Sequence, residues 1–164
     1  MRRSLLATLV TALALAAPAA ASLPKAGVLV PGRSLGGIRL GESARAVRNA
    51  LGTFYGACVD CQRRTWYFTY APFDKHGLAV ELTGGKVSGV YTLWRPAGWH
   101  ATHELGFGSS VLAVHRLTRA AHTVTCGDYE ALVRDSGRAR TAYYVVAGRL
   151  WGFGLFRRGA SPCR

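Results

Sequence analysis

Apolar and polar positions along this chain change period twice, and in the same order each time. From Leu40 to Gly52, "LGESARAVRNALG", Ala44, Val47 and Leu51 recur at the spacing of one helix face, while Arg45 and Arg48 fall on the other. Ser43 stands where an N-cap hydroxyl belongs and Gly52 where a C-terminal glycine belongs, so the pattern predicts a helix between them. Beyond it the period becomes two. "RTWYFTY" reads as a strand, and "LAVELTGGKVSGVYTLW" reads as two alternating runs joined at Gly84-Gly85-Lys86, a β-hairpin.

The same succession returns downstream. At a shift of 67 residues Gly108, Ser110, Ala113 and Val114 repeat Gly41, Ser43, Ala46 and Val47. "YEALV" and "RTAYYVVAGRLWGFGLFR" then read as strands, with a hairpin turn at Ala147-Gly148-Arg149. Here the shift is 63, matching Ala142, Gly148, Gly152 and Arg158 to Ala79, Gly85, Gly89 and Arg95. The four extra residues of the first half fall where Cys58 to Cys61 and the loop Pro72 to Gly77 lie. The pattern predicts an α+β protein of two tandem helix-plus-antiparallel-sheet repeats, each of one helix and about three strands, over residues 35–98 and 99–164. A unit of that size buries too little alone, so the two are expected to share a core. Residues 22–34, with Pro24, Gly27, Pro31 and Gly32, read as an extended entry segment.

The first residues, "MRRSLLATLVTALALAAPAAAS", join a basic start, an apolar run and small residues, the three parts of a secretory signal peptide over 1–21. The run from Leu5 to Ala17 is shorter than the ~20 residues a spanning helix needs. No later segment is long and apolar enough to span, so no membrane span is expected after cleavage, and the protein is expected to be secreted or extracytoplasmic. The formal charge is +13 over 164 residues; loss of Arg2 and Arg3 with the signal lowers it to about +11. Such a charge favours an anionic cell-envelope surface or an acidic secreted protein as partner, although arginines scattered singly also serve solubility. Nucleic acid is not expected, because export removes the chain from it and no recognition motif is present.

Export also changes the meaning of the four cysteines. An even count in an oxidising compartment reads as two disulfides, with Cys58–Cys61 and Cys126–Cys163 favoured because this places one bridge in each half. Cys58 precedes a strand rather than opening a helix, unlike a thioredoxin-type site, and zinc would need a second CxxC pair.

Candidate chemistry is sparse. Strand alternation places Trp66, Phe68 and Tyr70 on one face, and Trp151, Phe153 and Leu155 on one face of theirs. If that aromatic face is open, then edged by Arg138, Arg140, Arg149, Arg157 and Arg158 it suits an anionic or carbohydrate-bearing partner; if covered, the rings are core. His100 and His103, three apart and followed by Glu104, are the weak metal or acid–base candidates, but the spacing is not HExxH and Pro96 and Gly98 mark a loop. Ser43 and Ser110, the serines with the best context, are explained as helix caps. Asp128 and Glu130 are the nearest thing to a carboxylate pair, with nothing to hold a sugar between them. No cofactor is expected.

The run Gly36, Gly37, Leu40, Gly41, Ser43, Val47, Leu51 and Gly52, with its weaker echo from Phe107 to Leu117, resembles the β-lactamase-inhibitor-protein-like fold and is similar to the small outer-membrane assembly lipoproteins. The resemblance implies a concave sheet and projecting loops that bind an enzyme. The corresponding loops here are Phe73, Asp74, Lys75 and His76, and the segment Arg134 to Arg140. The resulting expectation is a non-enzymatic binding or structural protein that uses those loops with Arg134, Arg138, Arg140, Trp151 and Arg157. An inhibitor of a secreted enzyme, or a cell-wall hydrolase acting through His100, His103 or Asp128 and Glu130, is the alternative.

Overall fold

The computed structural model describes residues 27–58, 61–69, 77–93, 98–102, 104–118 and 122–164. The expected signal peptide over 1–21, the loop Phe73 to His76, and His103 lie outside these residues.

Among the described residues, two short helices stand with twelve strands. Helix α1 (Ala44–Leu51) starts where the Ser43 hydroxyl accepts from the Ala46 amide at 3.2 Å, and buries Val47 and Leu51. Helix α2 (Val111–Thr118) starts in the same way at Ser110, whose hydroxyl accepts from the Ala113 amide at 3.2 Å. Each helix entry is pinned to a hairpin turn. The Ala44 amide donates to Gly85 and the Val111 amide to Gly148, at 3.0 and 2.9 Å.

The strands are β1 (Val28–Val30), β2 (Ser34–Leu35), β3 (Gly56–Cys58), β4 (Arg64–Thr69), β5 (Gly77–Thr83), β6 (Lys86–Leu93), β7 (His100–Ala101), β8 (Leu105–Gly106), β9 (His122–Cys126), β10 (Tyr129–Ser136), β11 (Ala139–Val146) and β12 (Arg149–Arg157). Eight of them form one sheet in the order β3-β4-β5-β6-β12-β11-β10-β9, antiparallel throughout. The other four form a small sheet, β2-β1-β7-β8, in which β1 runs parallel to β7.

This overturns the expected fold class of two helix-plus-sheet repeats. The described residues are mostly β, 55% strand against 13% helix. β6 and β12 are hydrogen-bonded through Tyr91–Gly154, Val90–Leu155 and Gly89–Phe156, so a single sheet runs across both halves. The physical reason lies in β5 and β12, which are buried on both faces over most of their length; helices of eight residues cannot cover that much apolar surface. β1 and β2, from the start of the chain, meet β7 and β8, from its middle.

The large sheet has two packed faces. One carries Trp66, Phe68, Leu78, Val80, Leu132, Tyr143, Phe153 and Leu155, under both helices and the small sheet. Trp99, 2% exposed, is the wedge between sheets: a side chain at Gly27 or Gly36 would come within 2.8 and 2.9 Å of its ring. The other face carries Ala79, Tyr91, Ala131, Val133, Ala142, Tyr144 and Phe156, and packs against Ala160 and Cys163 of the segment after β12.

Both expected disulfides are present, Cys58–Cys61 and Cys126–Cys163, as suits an oxidising compartment. No helix of the described residues is long and apolar enough to cross a membrane.

Candidate anion-binding cleft

At one end of the large sheet, four turns that are distant in sequence converge. The β10–β11 turn contributes Ser136, Gly137, Arg138 and Ala139, and the end of β12 contributes Arg157 and Arg158. The β1–β2 turn adds Gly32 and Arg33, and the approach to α1 adds Arg39, Leu40 and Gly41. Backbone contacts fix the walls: the Gly32 amide donates to the Thr141 hydroxyl, the Arg158 amide to the Arg138 carbonyl and the Gly41 amide to the Val87 carbonyl, each at 2.8 Å. The cleft between them holds about 830 Å³.

Its chemistry is one-sided. Five arginines line it and no carboxylate does. Among the described residues, Arg33, Arg39, Arg138 and Arg157 make no ion pair. Arg158 comes only to 4.0 Å from Asp135, which already has a better partner. Guanidiniums crowded without acids repel one another, and an anion carrying several oxygens relieves that repulsion while pairing bidentately.

Arg140 does not join them. Its Nε and Nη2 grip both oxygens of Asp135 at 2.8 and 3.0 Å, and its Nη1 donates to the Ala160 carbonyl at 2.8 Å. Asp135 and Arg140 are opposite residues of the β10–β11 ladder, so the pair braces the hairpin that carries Arg138. The hydrogen bonds from Arg140 hold the Asp135 carboxyl below its ordinary value, and Asp135 in turn raises Arg140. A lowered carboxyl contributes stability above the unfolded value and loses it as pH falls through the folded one. Wild type is therefore expected to exceed Asp135→Asn in urea stability by a constant margin above about pH 5, a margin that shrinks as pH drops below about 4. A margin independent of pH in this range would refute the pairing.

The remaining expected residues scatter. Arg134 faces a separate hollow of about 290 Å³ with Val30, Leu105, Leu117 and Tyr143. Trp151 is half-buried on the other sheet face, its ring 6.2 Å from Tyr129. Simple alternation put it beside Phe153 and Leu155, but pairing passes from Tyr144–Gly152 to Val145–Leu150, so Trp151 forms a bulge and turns to the opposite face. Trp66, Phe68 and Phe153 are core, not an open aromatic surface. His100 is exposed on β7, its Nδ1 3.5 Å from the Gly98 carbonyl. Among the described residues no three His, Cys, Asp or Glu side chains converge as a metal site would require. Asp128 and Glu130 share an open hollow with Thr125 and Tyr129 near the β9–β10 turn. Arg33 and Arg39 were not singled out by sequence; the one signal was their place in glycine-flanked turns.

The fold defines a class: a mostly β protein with one eight-stranded antiparallel sheet, two short helices and a small accessory sheet. No protein-family model and no curated protein matches the chain. Among solved structures it is similar to a DUF4309 family protein (YjgB) from Bacillus subtilis subsp. subtilis str. 168, with TM-score 0.55 and 14% identity over 76% of this chain and 84% of that one. It is also similar to an extracellular protein containing a SCP domain from Bacillus anthracis str. Ames, with TM-score 0.50 and 8% identity. That match covers 73% of this chain but 44% of the other, so this chain corresponds to less than half of it. At these identities the likeness shows the fold alone. Neither neighbour is described as a β-lactamase-inhibitor-like protein or an outer-membrane assembly lipoprotein, so the comparisons do not show that resemblance.

Proposed function

We propose that this is an extracytoplasmic binding protein, without catalytic activity, that docks on an anionic polymer of the cell envelope through the arginine cleft. One observation carries the reading: five arginines from four separate turns line a single cleft that contains no carboxylate. A merely soluble basic surface would spread its arginines, as Arg45 and Arg116 on the helices are spread. The sheet faces are already packed, which leaves this end as the charged surface with shape. Location outside the cytoplasm is supported by the signal-peptide pattern, by the two disulfides and by an extracellular structural neighbour.

The test uses matched charge. Arg138→Gln/Arg157→Gln and Arg45→Gln/Arg116→Gln each remove two positive charges, the first pair from the cleft and the second from helix surfaces. Binding to a phosphate polymer is measured across a salt series. The cleft variant is expected to bind about 10- to 100-fold more weakly with a shallower salt slope, and the helix variant to stay within about twofold of wild type. Equal losses in both would reduce the effect to net charge and end the proposal.

A further inference from the structure

On the opposite face of the sheet, residues 161–164 lie in a groove that is built like a receptor for an extended peptide. Its floor depends on two glycines. Phe156 lies across the ladder from Gly89, and a side chain at Gly89 would meet the Phe156 ring at 2.6 Å and the Glu81 carboxylate at 2.9 Å. A side chain at Gly154 would strike the same ring and the Tyr144 hydroxyl. Bare backbone at both positions lets the Phe156 ring lie flat and offer its face upward.

On that face sits the Arg164 guanidinium, 4.2 Å from the Phe156 centroid and 5.7 Å from that of Tyr91. Its Nη2 donates to Glu81 Oε2 at 2.9 Å, and its Nε lies against Oε1. The two side chains are 10% and 5% exposed. A planar cation lying over aromatic faces while one of its Nη groups donates to a buried carboxylate is an arrangement that favours guanidinium over ammonium.

The groove also reads backbone. The Tyr144 hydroxyl donates to the Pro162 carbonyl at 2.8 Å, and burial pushes that hydroxyl well above its ordinary value, so it stays a donor. The Tyr129 hydroxyl donates to the Arg164 carbonyl and accepts from its amide, both at 2.6 Å. These contacts hold an extended segment at two carbonyls two residues apart, whatever side chains it bears. The Cys126–Cys163 bridge fastens the present occupant between them.

We propose that this groove is a binding site for an extended, arginine-bearing peptide segment, filled in this structure by the protein's own residues 161–164. It shares no residue with the arginine cleft, and it selects a cation where the cleft selects an anion. A tethered occupant competes at a high effective concentration, so a second peptide enters only when the tether or the arginine is removed.

Two variants of the full chain test this. In Arg164→Ala the pocket is empty while the disulfide still holds the segment. N-acetyl-arginine amide is expected to raise its Tm saturably, the lysine analogue to act about tenfold more weakly, and neither to shift wild type or Glu81→Gln/Arg164→Ala. In Cys163→Ser/Arg164→Ala the segment keeps only its main-chain link and has no guanidinium to compete, and the peptide acetyl-Ser-Pro-Ser-Arg-amide is expected to bind saturably where it does not bind wild type. Arg138→Gln/Arg157→Gln leaves both results unchanged, so loss of the cleft reading and loss of this one are separable. Equal response to arginine and lysine, or no response in whichever variant folds, overturns the proposal.

Discussion

Serine at both Cys126 and Cys163 is expected to cost about 4 kcal/mol of unfolding free energy, and serine at Cys58 and Cys61 about 2. The first bridge closes 37 residues and the second 3, so the first removes far more freedom from the unfolded chain. The long bridge also holds the segment that covers Tyr91, Tyr144 and Phe156, so its loss bares part of an aromatic face as well. Against a total stability of about 5–15 kcal/mol the loss is large, and the urea midpoint of the Cys126/Cys163 variant should fall well below that of the Cys58/Cys61 variant. Indistinguishable midpoints would show that neither loop length nor the covering segment matters.

Trp99→Ala is expected to cost about 3–5 kcal/mol, the range for truncating a fully buried aromatic. The indole ring rests on the bare backbones of Gly27 and Gly36 and reaches Leu78's neighbourhood, so it fills the space between the small sheet and the large one. Gly27 and Gly36 form part of the wall and bring no side chain to fill the void. His100→Ala, one residue away and exposed, should change stability by no more than about 0.5 kcal/mol. The two variants thus separate a structural role of this segment from a chemical one. Thermal unfolding of both decides it: a His100 effect as large as that of Trp99 would return the histidine to consideration.

What sequence made legible was local. Ser43 and Ser110 announce helix starts, and Gly84-Gly85 and Ala147-Gly148 announce hairpins, because each rests on residues within a few positions of one another. The fold class went wrong at the first long-range step. Nothing in "VSGVY" or "GFGLF" states that these strands pair with each other, and that one ladder turns two expected units into one sheet. The small sheet was hidden for the same reason: β1 and β7 are too short to carry a period and lie about 70 residues apart.

The site divides similarly. Arg138 and Arg157 were picked from the sheet's arginines, but Arg33 and Arg39 enter the cleft only through folding of the first turns onto β11. Arg140 is held by a cross-strand acid, Asp135, and that pairing depends on a two-residue turn whose register sequence alone leaves open. Trp151 was misread because a bulge reverses the alternation at that residue. The loop Phe73 to His76 lies outside the described residues.

The seam between β6 and β12 also sets an order of events. β6 is made early, yet its outer neighbour is the last strand of the sheet, with about 55 residues between them in the chain. As the chain emerges from its N-terminal end, β3 to β6 can pair by hairpins alone, while the free edge of β6 waits with Val90 and Tyr91 unsheltered. Only β12 can close that edge, and it must at the same time zip onto β11. Maturation of this protein therefore hinges on its final strand: any chain halted before Arg149 presents an apolar, unpaired edge, and such truncated forms are the ones destined to associate or to be degraded.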